Sequence, residues 1–243
     1  MSIKTNKYAL ITGASRGIGK AIAKKLAAQG YNLYLTCEKN ITSLQADADA
    51  LSSEYRVRCV CFDGDIGNSS HVDGIFRQIT SLDVLINCAG IAHIGLLQDM
   101  TDDDWCHVMH TNVDSVFYTC RKAIPLMLAQ GGGCIINISS IWGNTGASME
   151  TAYSASKGAI NALTRALGKE LAPSHIKVNA IACGLMDTDM NSHLSSEELD
   201  EIISGIPADR MGKPEEAAAF VLHLIDAPEY LTGQVITLDG GWT

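Results

Sequence analysis

Basic residues are scarce: 18 Lys and Arg stand against 27 Asp and Glu, for a formal net charge of −9. That balance disfavours general affinity for nucleic acid or an anionic membrane surface. No apolar run approaches the roughly 20 residues of a membrane span. The opening MSIKTNKYALITG also lacks a signal peptide's apolar stretch, which points to the cytoplasm. No CxxC pair occurs among the cysteines at 37, 59, 61, 88, 106, 120, 134 and 183. Several lie inside apolar runs, and Cys59 and Cys61 are expected on opposite faces of a strand. They read as reduced core residues rather than disulfides or a zinc site, so no metal is expected. Proline-rich linkers, repeats and low-complexity stretches are missing too, and residues 1–243 are therefore expected to form one domain.

What is present is a large core: 47% of residues are hydrophobic and 19% charged, an ordinary globular balance. Short apolar runs fall at Tyr8–Thr12, Asn32–Thr36, Val57–Phe62, Val84–Cys88, Cys134–Ile138, Val178–Ala182 and Val235–Leu238. Helical patterns such as Gly19–Gln29 and Ala152–Ala172 separate them. Strands apolar on both sides and separated by helices imply a parallel sheet covered on both faces. The expected fold is α/β: a doubly wound, seven-stranded Rossmann sheet. The irregular stretch at about 185–214, with its acidic SSEELDE, suits a mobile substrate lid over the active-site mouth.

The first strand runs directly into TGASRGIG, residues 12–19. Glycines at 13, 17 and 19 let the backbone turn tightly and approach a pyrophosphate at the start of the next helix. The spacing is a relative of the dinucleotide fingerprint rather than that fingerprint itself. An NAD-selective site closes its second strand with an acid for the ribose 2′-hydroxyl. Here that position falls on Cys37, with Glu38 one residue further on and expected to point elsewhere. Arg16, inside the loop, is placed to hold a 2′-phosphate, unless it is simply a solvated loop charge. The reading favours NADP(H) over NAD(H).

Residues 153–157, YSASK, set a tyrosine and a lysine four apart with small residues between. Side chains at i and i+4 share a helix face. Alone, this is either an exposed surface pair or a reactive one.

The combination resembles the short-chain dehydrogenase/reductase family: TGASRGIG, NCAG (87–90), Asn112 in HTNVDSVF, INISS (136–140), YSASK and TGQVITLDGG, in the family's order across nearly the whole chain. Within it, the sequence is most similar to bacterial 3-oxoacyl-[acyl-carrier-protein] reductases. The resemblance implies a catalytic set of Asn112, Ser140, Tyr153 and Lys157, with Ser139 pointing away. It implies cofactor contacts from Gly13, Ser15, Arg16, Gly17, Ile18 and Gly19 in the loop and from Cys37 at the second strand. Asp65 and Ile66 are expected to bracket the adenine. Asn87, Ala89 and Gly90 belong beside the adenosine half, and Ile181, Gly184 and Thr188 at the nicotinamide end, with Tyr153 and Lys157 also touching the cofactor. Two departures stand out: Cys88 replaces the family's asparagine, and Cys183-Gly184 its proline-glycine pair. On this basis Lys157 is expected to favour the Tyr153 phenolate and lower its pKa. Ser140 holds the substrate oxygen, and Asn112 a water that relays protons.

The expected substrate is a small or carrier-bound carbonyl compound, foremost a 3-oxoacyl thioester. Alternatives are a hydroxysteroid, a sugar-like carbonyl or an aminopentanone-modified protein, and, in another class, a non-catalytic nucleotide-sensing scaffold. An acyl-carrier protein is acidic and docks on basic residues. The two arginines that serve this in the related reductases correspond here to Gly131 and Ser174, leaving Arg121, Lys122, Lys169 and Lys177 to compensate. Trp142, Met149, Met186 and Met190 suggest an apolar pocket or equally core packing. The small outward residues of 152–172 and the apolar TGQVITLDGGWT point to a homotetramer, in line with the resemblance.

Overall fold

The computed structural model describes residues 7–192 and 194–243. Seven strands form one parallel sheet: β1 (Tyr8–Ile11), β2 (Asn32–Cys37), β3 (Cys59–Asp63), β4 (Val84–Asn87), β5 (Gly133–Ser140), β6 (Ile176–Cys183) and β7 (Val235–Leu238). Their order is β3-β2-β1-β4-β5-β6-β7. The helices are α1 (Gly17–Ala28), α2 (Ile41–Tyr55), α3 (Ser69–Phe76), α4 (Asp102–Met109), α5 (Ser115–Gln130), α6 (Trp142–Thr145), α7 (Thr151–Leu171), α8 (Ser196–Ser204) and α9 (Pro214–Asp226). All seven expected strands and their parallel direction hold.

The central strands are apolar on both sides because both sides are covered. Leu26 of α1, Leu44 of α2 and Val221 of α9 pack with Ile11, Leu35 and Ile136 on one face. Ile75 of α3, Met127 of α5 and Ile160 of α7 pack with Leu10, Leu85 and Val178 on the other. Cys59 and Cys61 require a correction. Residues two apart on a strand share a face, and both pack against the cluster of α1, α2 and α9. All eight cysteines are free thiols.

Lys177, expected as a surface charge, is buried on β6 and caps the end of α9, donating to the carbonyls of Leu224 (3.3 Å), Ile225 (2.8 Å) and Ala227. It is therefore not available to an acidic partner. Within the segment 185–214, α8 begins in a capping box between Ser195 and Glu198. Among the described residues, no helix is long and apolar enough to cross a membrane.

The order reverses between β1 and β4, and in such sheets ligands settle at the carboxyl ends of the strands beside that point. The glycine loop, the NCAG turn and the end of β5 all meet there.

Candidate active site

A cleft of about 640 Å³ opens along the carboxyl edge of the sheet, within the size range of small-molecule sites. At one end the glycine loop leaves β1. Gly13 has φ +66°, and a Cβ there would lie 2.9 Å from the Ala89 Cα. A Cβ on Gly19 would lie 2.2 Å from the Gly13 carbonyl oxygen. The loop closes on itself and on the NCAG turn only because these side chains are absent. Thr12 completes the junction, its Oγ1 accepting from the Cys88 and Ala89 amides at 3.0 Å each.

The start of α1 differs from those of α4 and α8. The latter carry reciprocal side-chain caps, Thr101 with Asp104 and Ser195 with Glu198. At α1 no side chain caps the first turn and no acid lies in it. Its amides are left for an anion, so the cradle fits a dinucleotide's pyrophosphate.

Beyond the loop, the cleft is lined by Cys37, Asp65, Ile66, Ala89 and Gly90. Cys37 is the last residue of β2, one position beyond the strand end expected from sequence. Glu38, expected to point elsewhere, lines the cleft together with Lys39 and Asn40, because the chain turns out of the sheet directly after Cys37. Asp65 spends a carboxylate oxygen on its own turn, accepting from the Gly67 amide at 2.7 Å. Arg16 lines the cleft and pairs with Asp189 of the 185–214 segment at 3.7 Å, both side chains 67% exposed.

Midway along the cleft Ser140, Tyr153 and Lys157 converge. Ser140 ends β5 and accepts from the Trp142 amide at 3.2 Å. Ser139 turns the other way and donates to Asn161 Oδ1 at 2.6 Å. Tyr153 and Lys157 lie one turn apart on α7, the Lys157 Nζ 5.5 Å from the tyrosine ring centre. Burial pushes the Tyr153 phenol well above its ordinary value, and Glu150, Cys183 and Cys88 act in the same direction; the hydrogen bond with Ser140 opposes them. Burial drives Lys157 the other way, towards the neutral amine. The expected lowering of the phenol by Lys157 is thus not what the structure shows. Both groups are buried, and the Lys157 ammonium donates to the Ile138 carbonyl at 2.9 Å. Cys88 and Cys183 both line the cleft, and burial raises their thiols to about 11 and about 12. They are neutral near pH 7. Without the family's proline, β6 runs on through Cys183, which aligns with Ser140 on one side and Leu238 on the other.

Asn112 does not reach the cleft surface. It sits in a π-helical turn, His110–Asp114, of a kind frequent at functional sites. Its Oδ1 accepts from the Ile91 amide (2.8 Å), and its Nδ2 donates to the Ile91 carbonyl (2.9 Å) and to Ser156 Oγ (2.9 Å). Ser156 in turn donates to the Tyr153 carbonyl at 2.7 Å. Asn112 thereby fixes the turn of α7 that carries the tyrosine and lysine. Two further expected contacts are interior. Asn87 is bound to Asn137 and Thr119 beneath the site, at 2.9 and 2.8 Å. Ile181 lies fully buried in the core. Strand alternation turns both side chains away.

Gly184, Thr188, Met186 and Met190 also line the cleft, Thr188 lying against Gly17 of the glycine loop. Met149 does not; it stands exposed with φ +63° beside α7. Trp242, which sequence reasoning assigned to a subunit surface, lines the cleft and meets Trp142 edge to face, with ring centres 5.1 Å apart. Its preceding glycine pair is the one local signal of a turn that folds back. No cluster of metal-ligating side chains occurs among the described residues.

Comparison with known proteins agrees with this geometry. Residues 7–199 match the model of the short chain dehydrogenase family. An uncharacterised oxidoreductase of Bacillus subtilis is 38% identical over 239 residues, 98% of this chain and 99% of the relative. A 3-oxoacyl-[acyl-carrier-protein] reductase of Chlamydia trachomatis is 40% identical over 242 residues, 97% of each. The solved structure of a single-residue variant of the actinorhodin polyketide ketoreductase with NADPH superimposes with a TM-score of 0.92 at 31% identity, over 100% of this chain and 99% of the other.

Proposed function

The chain belongs to the short-chain dehydrogenase/reductase family and is an NAD(P)-dependent oxidoreductase, and from that premise we propose that it is an NADP(H)-dependent ketoreductase of 3-oxoacyl thioesters. The observation that carries the ketoreductase reading is the meeting of Ser140, Tyr153 and Lys157 in a cleft that also holds an uncapped helix start. The relatedness to 3-oxoacyl-[acyl-carrier-protein] reductases supports the thioester.

When bound, the reduced nicotinamide supplies the hydride. The chain's own residues do the rest. Amides of the glycine loop and of α1 hold the pyrophosphate. Arg16 and Lys39 offer positive charge to the cleft, beside Glu38, which follows the last residue of β2; the two cations favour a 2′-phosphate, as does the NADPH in the related polyketide ketoreductase. Ser140 donates a hydrogen bond to the substrate oxygen and holds it against Tyr153. Tyr153 then gives its phenolic proton to that oxygen as negative charge develops there. Burial keeps this proton in place until it is called on, since a phenol held above its ordinary pKa stays protonated at neutral pH. Lys157, fixed on the Ile138 carbonyl, stands 5.5 Å from the ring centre and would hold the nicotinamide ribose.

On this reading one domain spans 1–243, residues 185–214 close over the substrate, and the protein works in the cytoplasm as a homotetramer. Loss of NADPH absorbance with a panel of ketones and a 3-oxoacyl thioester tests the activity. No turnover of any carbonyl would leave a nucleotide-binding scaffold instead. Sedimentation tests the assembly, which a stable active monomer would contradict.

A further inference from the structure

The cations that line the cleft are Arg16, Lys39 and Lys157, all in its cofactor half or under Tyr153. Glu150 lines the opposite end, while Asp189 pairs with Arg16 of the glycine loop at 3.7 Å. Among the described residues, no cation lines that end of the cleft. It presents two indoles. Trp142 follows Ser140 by two residues, and Trp242 is brought onto it by a turn centred on Asp239. The Asp239 carboxylate accepts from the Gly241 amide (3.0 Å), the Thr243 amide (2.8 Å) and the Thr243 hydroxyl (3.0 Å). The Gly240 carbonyl accepts from the Ala208 amide at 3.0 Å, tying the turn to the segment after α8. Ile94, Met190 and Ile202 continue the lining.

Outside the mouth the apolar surface goes on. Ile94, Leu96, Leu97, Met149 and Met190 are each between 42% and 56% exposed, and the Gly95 amide bonds the Met149 carbonyl at 2.8 Å, holding the two sides of this rim together. A contiguous exposed apolar patch marks a binding surface. Continuity with the cleft identifies its occupant as the substrate's own apolar body.

We propose that Trp142 and Trp242 form a specificity-determining wall, which selects carbonyl compounds by the apolar body beyond the carbonyl and not by an acidic carrier. The proposal rests on the ketoreductase reading and deepens it. Each methylene buried against the wall and rim strengthens binding, so kcat/KM rises with chain length. The carrier contributes little, because no cation lines this end of the cleft to draw it in.

The test measures kcat/KM with NADPH along two series, 3-oxoacyl thioesters of N-acetylcysteamine and plain aliphatic ketones, each from short to medium chain. Four added methylenes are expected to raise kcat/KM by about tenfold or more in the wild type. Trp242→Ala should reduce that ratio to about threefold or less, and Trp242→Phe should retain most of it. Moving one acyl group to an acidic carrier protein should change kcat/KM by less than about threefold at low salt. A flat wild-type series, or a slope unchanged in Trp242→Ala, overturns the wall. A strong, salt-sensitive preference for the carrier protein overturns the claim that the carrier is not read. Turnover of ketones but of no thioester refutes the thioester reading, and the wall is then judged on the ketone slope alone.

Discussion

The two halves of the cleft are built on different terms. In the cofactor half the backbone does the recognising: loop amides, a helix start without a side-chain cap, and glycines that admit no Cβ. In the substrate half side chains do it, namely two indoles, methionines and aliphatic residues gathered from four distant stretches of chain. A backbone site tolerates little change because its shape is its chemistry. A side-chain wall can be repapered residue by residue while the scaffold stays fixed, which is how one fold serves many substrates.

The sharpest way to break the comparison lies at the junction. Tyr153→Phe removes the proton donor and keeps the ring, and turnover should fall by about 10²–10⁴-fold. NADPH affinity by fluorescence titration should hold, since the cofactor half is untouched. In the wild type, the raised phenol implies that reduction does not decline from loss of this proton as pH climbs from 7 towards about 10. The acid form persists through that window and is lost only above it. A pH profile of kcat/KM that falls with a midpoint near 8 would contradict this assignment.

Breaking the cofactor half alone comes next. Gly19→Ala sets a Cβ against the Gly13 carbonyl, and should cost about 1–3 kcal/mol of stability in denaturant unfolding. NADPH affinity should fall with it. Whatever activity survives should keep the wild-type chain-length preference, because the substrate half is unaltered.

Smaller effects sharpen the boundary between the halves. Arg16→Ala should weaken NADPH about tenfold while leaving NADH nearly unchanged, as read by Kd. Equal losses would show that Arg16 does not read the 2′-phosphate. Asp189→Asn removes the carboxylate that now shares Arg16, and should tighten NADPH by about threefold with no change for NADH. Weaker NADPH binding in that variant would mean that Asp189 assists the guanidinium rather than competes for it.

The same division explains what could be read in the sequence. The seven strands and the glycine loop were legible because apolar runs and glycine spacing are local, and each has a stringent backbone cause. Ser140, Tyr153 and Lys157 were legible through the family resemblance, whose motifs hold them at fixed spacing on one strand end and one helix. Glu38 was misplaced because β2 runs one residue further than its apolar pattern, and the turn then faces the cleft. Asn87 and Ile181 lie in stretches that border the site, but strand alternation sends their side chains inward. Trp242 was not legible at all. Its contact with Trp142 depends on the Asp239 turn, a long-range closure that no periodicity announces. Lys177 shows the opposite failure: a charged residue read as surface is spent inside the fold.

That lysine also bears on how the molecule comes apart. Its ammonium is held by carbonyls at the end of α9 while its backbone runs in the sheet beside β5. Peeling the helix away would break these charge-assisted hydrogen bonds together, at a cost well beyond that of ordinary end fraying. The helix and the strand should therefore open together. In native-state hydrogen exchange, amides near the end of α9 should exchange with the slow, sheet-like opening of β6 rather than on the faster scale of a loosely docked helix.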